Sequence, residues 1–177
     1  MNFAVPNFLP AMPEIFLLVA ICSLLVIDLF LPDEKRGLTY VLAQFSLLGT
    51  ALISVFGYTG ETVSTFGGMF IGDSLSVFLK VVILLLSSVI FLYAFHYLRA
   101  RNQLRGEFFT LALFGVLGMM IMVSAHNLLL LYVGLETFSL CLYTLVAYNR
   151  DSPTGAEAAV KYFFLGALSS GLLLYGF

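Results

Sequence analysis

Apolar residues run along this chain in six long blocks, separated by short polar breaks. The blocks cover roughly Pro13–Leu31, Leu38–Tyr58, Asp73–Leu98, Phe108–Ala125, Asn127–Tyr148 and Gly155–Phe177. A membrane span needs about 20 mostly apolar residues, because the hydrocarbon core is about 30 Å thick and a helix rises about 1.5 Å per residue. Each block meets that length, and all are too long and too uniformly apolar for barrel strands, so the pattern predicts six transmembrane helices. The breaks carry helix-stopping chemistry: Pro32-Asp33-Glu34-Lys35-Arg36-Gly37 after the first block, Gly67-Gly68 in the second loop, and Asn149-Arg150-Asp151-Ser152-Pro153 before the sixth. The first block is not read as a cleaved leader. Nothing positive precedes it, it contains Glu14 and Asp28, and no small-residue cleavage site follows.

Composition agrees with the pattern and narrows the function classes. The chain has 177 residues, 61% hydrophobic and 10% charged, with a mean hydropathy of +1.05. A soluble domain is about a quarter charged, and eight Lys+Arg with ten Asp+Glu do not cover a water-exposed surface of this size. A soluble enzyme and a disordered chain are excluded. The formal charge of −2 offers no basic patch, so no nucleic-acid partner is expected and the lipid bilayer is. Cys22 and Cys141 lie inside apolar runs with no ligand spacing around them, which predicts buried side chains, no disulfide and no metal.

Lys and Arg fix an expected orientation. The first loop has Lys35 and Arg36, the third Arg99, Arg101 and Arg105, and the fifth Arg150; the N-terminal tail, the second loop and the fourth have none. This strict alternation places the N-terminus outside and the odd-numbered loops in the cytoplasm. The sixth span ends at Phe177 without a polar tail, so the chain is expected to be an N-terminal fragment of something longer.

The ionisable residues inside the spans are the candidate chemistry. Glu136 sits at the middle of the fifth span, between Leu135 and Thr137. A carboxylate at that depth costs about 2.5–3.5 kcal/mol unless it is paired, hydrated or protonated. Burial penalises its charge and a nearby cation favours it, which makes it a tunable proton site. Lys161 lies about two turns into the sixth span and has two possible partners. Glu157, four residues earlier on the same face, is the local one. Across the hairpin of spans five and six, Glu136 is the other, at a depth differing by roughly 7 Å. Lys80, seven residues after Asp73, is explained as well by snorkelling to the outer interface as by function. Asp28 and His96 are read as interfacial, and His126 as a loop residue with an accessory proton role as the alternative. Gly115, Gly118, Gly134, Gly166, Ser170 and Gly171 are read as packing residues that let helices approach. No phosphate loop, nucleotide fingerprint or haem-ligand pair occurs.

Several stretches resemble a known family: Gly106–Phe109, Gly115–Met120, Ser124-Ala125-His126-Asn127-Leu128, Tyr132–Leu140, and the run from Ser152 to Gly171 that contains Glu157-Ala158-Ala159-Val160-Lys161-Tyr162-Phe163. They resemble the subunit N family of bacterial NADH–quinone oxidoreductase, respiratory complex I, as does the Leu9–Leu18 stretch with Glu14. The resemblance implies an antiporter-like membrane-arm subunit, in the bacterial inner membrane, that couples electron transfer elsewhere in the complex to proton movement. Glu136 and Lys161 match the family's glutamate of the fifth helix and lysine of the sixth; Glu157, His126 and Lys80 are accessory candidates. It implies an all-α fold of fourteen helices, of which these six are the first part. Residues 1–105 would form peripheral helices one to three, and residues 106–177 would begin the translocating repeat. The whole complex would use NADH, FMN, iron–sulfur clusters and quinone, none bound by this chain, and the partners would be other membrane-arm subunits.

Two rivals stand beside that reading. One is a subunit of a related cation/proton antiporter or membrane-bound hydrogenase. The other is a six-helix scaffold without transport, in which Glu136 is a structural hydrogen-bond donor. The mechanism expected for the first reading is electrostatic: separating Glu136 from Lys161 leaves the lysine without its counter-charge, and it releases its proton more readily.

Overall fold

The computed structural model describes residues 7–32, 37–58, 60–150 and 152–177. Lys35, Arg36 and Asp151, which entered the loop and orientation reading, lie outside the described residues. A 3-10 turn, Leu9–Ala11, leads into helices α1 (Met12–Phe30), α2 (Gly37–Phe56), α3 (Ser74–Ala100), α4 (Gly106–Ser124), α5 (Leu128–Val146) and α6 (Pro153–Gly176). All six are long and apolar enough to cross a membrane, and each overlaps its expected block.

One element was not expected. Between α2 and α3 the chain forms an antiparallel hairpin of β1 (Val63–Thr65) and β2 (Phe70–Gly72), in register Val63 with Gly72. Its turn holds Gly67 and Gly68 at φ of 65° and 86°, a left-handed conformation that a glycine adopts without steric cost. Three-residue strands are too short for an alternating pattern to register in the sequence.

The hairpin also shows which helix ends lie together. Thr65 Oγ1 donates to the Asn7 carbonyl (2.7 Å), and the His126 amide donates to the Met69 carbonyl (2.8 Å). The N-terminal segment, the α2–α3 connection and the α4–α5 turn therefore share one end of the bundle. At the other end Thr39 Oγ1 donates to Asp28 Oδ1 (2.6 Å), the Arg105 amide to the Tyr148 hydroxyl (3.0 Å), and Arg150 to Glu107 (2.6 Å). The chain thus alternates between two ends, as six successive spans require.

Helix α4 is the hub. Half of its span is buried, against 6% for α6, and it packs on α1, α2, α3 and α5. The core is built from Leu17, Ile21, Leu47, Leu84, Phe91, Phe109, Leu113 and Met120, all from α1 to α4. On α2 the buried stripe is mostly small residues flanking Leu47, and three of its hydroxyls are satisfied within the helix: Ser46, Thr50 and Ser54 donate to the carbonyls of Leu42, Ser46 and Thr50. Small, internally satisfied side chains let neighbouring backbones come close without stranding a polar group in hydrocarbon. Gln44 extends this to α3, exchanging hydrogen bonds of 2.9 and 2.6 Å with Ser88.

Helices α4 and α5 approach closely at two glycines. A Cβ added at Gly118 would lie 2.8 Å from the Gly134 carbonyl oxygen, and one at Gly134 would lie 2.9 Å from that of Gly118. At α3 the N-cap is a reciprocal box, in which Asp73 Oδ1 accepts from the Ser76 amide (2.8 Å) and Ser76 Oγ accepts from the Asp73 amide (2.9 Å). The Ser76 amide holds the Asp73 carboxyl below its usual range. A depressed folded-state value means that the cap stabilises above the ordinary carboxylate range and fades as pH falls through the lowered value.

Gly118→Val should push α4 and α5 apart and destabilise by about 1–3 kcal/mol or more, the cost of overpacking; the amount of assembled complex on a native gel should drop. Asp73→Ala should cost about 1 kcal/mol of capping. Faster hydrogen exchange at the Ser76 and Val77 amides would register it, and acidifying the unmutated protein should move those amides the same way.

Candidate functional site

The membrane-depth charges sort into three environments. The first is a buried ion pair. Lys80, which a sequence reading leaves free to snorkel, instead points into the bundle: its Nζ lies 2.6 Å from Glu14 Oε1, with side-chain exposures of 2% and 8%. The Lys80 ammonium also sits 5.0 Å from the centroid of the Phe70 ring, a favourable cation–π distance. Pro13, the second residue of α1, needs no amide partner there, and Glu14 follows in the first turn. The α3 cap at Asp73 fixes the helix that carries Lys80. Glu14 Oε1 is held by the Lys80 ammonium, and Oε2 is buried without a hydrogen-bond partner among the described residues.

The second environment is that of Glu136. Gly134, Phe138 and Cys141 form the α5 face against α4, and Glu136 lies on the opposite face. That face carries Tyr132, Glu136 and Tyr143, four and seven residues apart, and it meets α6. Tyr132 contacts Phe177 at 6.4 Å, and Tyr143 contacts Tyr162 and Phe163 at 5.0 and 5.6 Å between ring centroids. Gly166 is required beside Tyr143, whose hydroxyl would clash with any added Cβ. Glu136 therefore sits between two aromatic contacts to α6, and its Oε1 is buried without a hydrogen-bond partner among the described residues.

Ser170 lies four residues beyond Gly166 on the stripe of α6 that faces α5. It is 8% exposed, and its Oγ too lacks a hydrogen-bond partner among the described residues. The sequence gives it a packing role only. An unpartnered hydroxyl facing the stripe that holds an unpartnered carboxyl oxygen gives that part of the interface the polarity a proton or a water needs.

The third environment is exposed. Lys161 Nζ lies 2.5 Å from Glu157 Oε1, with exposures of 70% and 65%. The structure thus pairs Lys161 with its local partner and does not bring it to Glu136. The reason is rotation: Lys161 follows Ala159, which is buried, by two residues, about 200° around the helix. Glutamate four residues before lysine is the favourable order for such a pair.

His126 is exposed, with its backbone engaged by Met69. His96 is exposed, and its Nδ1 lies 2.9 Å from the Leu92 carbonyl oxygen. Asp28 packs against Gly106, where any Cβ would collide with its carboxylate. Among the described residues no group of three or more His, Cys, Asp or Glu side chains could hold a metal ion. Glu14 is the residue that sequence reasoning passed over. The usable signal was two opposite charges entering the bundle from the same end, two residues into α1 and six into α3.

The family profile described as NADH:quinone oxidoreductase/Mrp antiporter, TM matches residues 125–177. NADH-quinone oxidoreductase subunit N of Thioalkalivibrio sulfidiphilus is 52% identical over 176 residues, 99% of this chain and 37% of that protein. Subunit N of Nitrosomonas europaea is 48% identical over the same shares of each. Respiratory complex I from Thermus thermophilus with bound aureothin contains a chain that superposes with a TM-score of 0.74 at 29% identity, over 93% of this chain and 35% of its own length. An archaeal membrane-bound sulfane sulfur reductase superposes at 0.79 with 20% identity, over 96% of this chain and 36% of its own; it shares the fold. The chain spans about 37% of the length of the curated relatives it matches.

Replacing Lys80 alone with Met should leave an uncompensated buried carboxylate at a cost of about 3–5 kcal/mol, and Glu14→Leu with Lys80→Met should recover most of it; the yield of assembled complex measures both. Along almost its whole length the chain is related to subunit N of NADH-quinone oxidoreductase.

Proposed function

We propose that this chain is part of a proton-translocating membrane-arm subunit of NADH–quinone oxidoreductase, whose proton site includes Glu136. The observation that carries this reading is the buried, unpartnered Oε1 of Glu136 inside a span. A carboxyl group kept at that depth costs about 2.5–3.5 kcal/mol on insertion scales, so its protonation responds to any charge brought near it. Electron transfer to quinone takes place in other subunits, and the charge change it causes reaches this chain electrostatically.

Lys161 and Glu157 face outward from α6. In that position the lysine is available to a group outside this chain, and its local carboxylate holds it in reserve. Separating the pair exposes the ammonium and favours passing its proton onward. His126 and Lys80 are accessory. The N-terminus lies outside in a bacterial inner membrane, by the placement of Lys and Arg. The six helices are the opening part of a fourteen-helix antiporter-like fold. Residues 1–105 form its peripheral helices and residues 106–177 begin its translocating repeat, within which the profile match falls. The complex supplies NADH, FMN, iron–sulfur clusters and quinone, and other membrane-arm subunits are the partners.

The scaffold alternative needs Glu136 as a hydrogen-bond donor to a neighbouring helix, and Oε1 has no such partner among the described residues. A cation/proton antiporter subunit shares the chemistry, and the profile's description includes that class. NADH dependence separates the two.

Glu136→Gln keeps size and hydrogen bonding while removing the titratable group. Membrane vesicles carrying it in the full-length subunit should assemble the complex and reduce quinone, with NADH-driven proton pumping lowered roughly tenfold, the effect of about 1.4 kcal/mol on a rate. Normal pumping with normal assembly would overturn the reading. Lys161→Met should weaken pumping without loss of assembly; unchanged pumping removes that lysine from the path.

A further inference from the structure

A cavity with about 140 Å³ of space for the centres of water molecules lies between α1, α2, α3 and the hairpin. Its polar lining is Asn7, Ser54, Tyr58, Glu61 and Lys80. A site of this kind needs roughly 10–15 Å³ and two to four polar partners to hold one water, so several fit. Asn7, Tyr58 and Glu61 lie beyond the helix ends, on the hairpin side, whereas Ser54 and Lys80 lie inside α2 and α3. The cavity thus runs from the hairpin-side surface to Lys80, whose ammonium is paired with the buried Glu14 behind it.

We propose that Glu14 and Lys80 form a second protonatable couple, separate from Glu136, that exchanges protons with the aqueous phase on the hairpin side through this cavity. As a mere clamp the couple is poorly built. Glu14 Oε2 lacks a hydrogen bond among the described residues, and well-packed apolar residues stabilise such a position as well or better. As an exchange site the same geometry is apt, because Lys80 lines the cavity and its ammonium lies 2.6 Å from Glu14 Oε1, within reach of a proton passed between them. The surroundings hold few competing charges. Asp73 acts on Lys80 from the start of α3, Tyr58 and Glu61 line the mouth, Phe70 of β2 presents its ring, and the hairpin-side half of α4 has no ionisable residue. Uptake passes a Lys80 proton to Glu14 Oε1 while a hydronium ion in the cavity refills Lys80, leaving water and a couple of net charge +1. Release returns the proton to cavity water and restores carboxylate beside ammonium.

The test uses the intact complex in membrane vesicles. Ser54→Cys, nearly isosteric, keeps the ion pair; with Cys22→Ala and Cys141→Ala in this chain, it should react with a charged, membrane-impermeant methanethiosulfonate added on the hairpin side, read as added mass on this subunit. No reaction there means no water path and overturns the proposal. Infrared difference spectra of the native complex should show a protonated-carboxyl absorption that grows as pH is lowered and is missing in Glu14→Leu/Lys80→Met. A native spectrum whose acid-dependent bands all survive in the double variant also overturns it. Per assembled complex, the double variant should move roughly twofold fewer protons per NADH, and wild-type stoichiometry is the third overturning result. Glu136→Gln is scored separately, so failure of either site leaves the other measurable.

Discussion

The backbone contact between α4 and α5 is the constraint from which the rest of the candidate site follows. Gly118 and Gly134 each sit where the other helix's carbonyl leaves no room for a Cβ. Because α4 is held by three other helices, fixing α5 against it by the Gly134 face turns the opposite face toward α6. Glu136 is on that opposite face. Two glycines that carry no chemistry therefore decide where the one mid-span carboxyl group of α5 points.

The charges show three solutions to the same electrostatic difficulty. Glu14 and Lys80 neutralise each other inside the bundle. Glu157 and Lys161 do so on an exposed face of α6. Glu136 has a buried oxygen that neither compensates. A charge is costly in hydrocarbon in proportion to how little answers it.

Much of this was legible in the sequence. Spans announce themselves by length and hydropathy, and the six blocks coincide with the six helices to within a few residues, because backbone hydrogen bonding in lipid leaves no alternative. Glu136 was legible for a related reason: a carboxylate among leucines is conspicuous. What was hidden is rotational. Hydrophobicity all round a helix gives no indication of which face meets which neighbour, so the Lys80–Glu14 pairing was signalled only by two opposite charges entering from one end, and Lys161 was left between two partners. The first-loop cations lie outside the described residues. The hairpin escaped because its strands are three residues each and its register is set by tertiary contacts with Asn7 and His126.

Those contacts impose an order on biogenesis. Thr65 can reach Asn7 once α1 and α2 have been inserted, but Met69 and Phe70 must wait for Ala125 and His126, which are synthesised more than fifty residues later. Until α4 has crossed and turned, β2 has an unpaired outer edge, and α3 carries its lysine next to an unfinished wall. The hairpin is therefore a latch that closes late, once the first four helices have crossed.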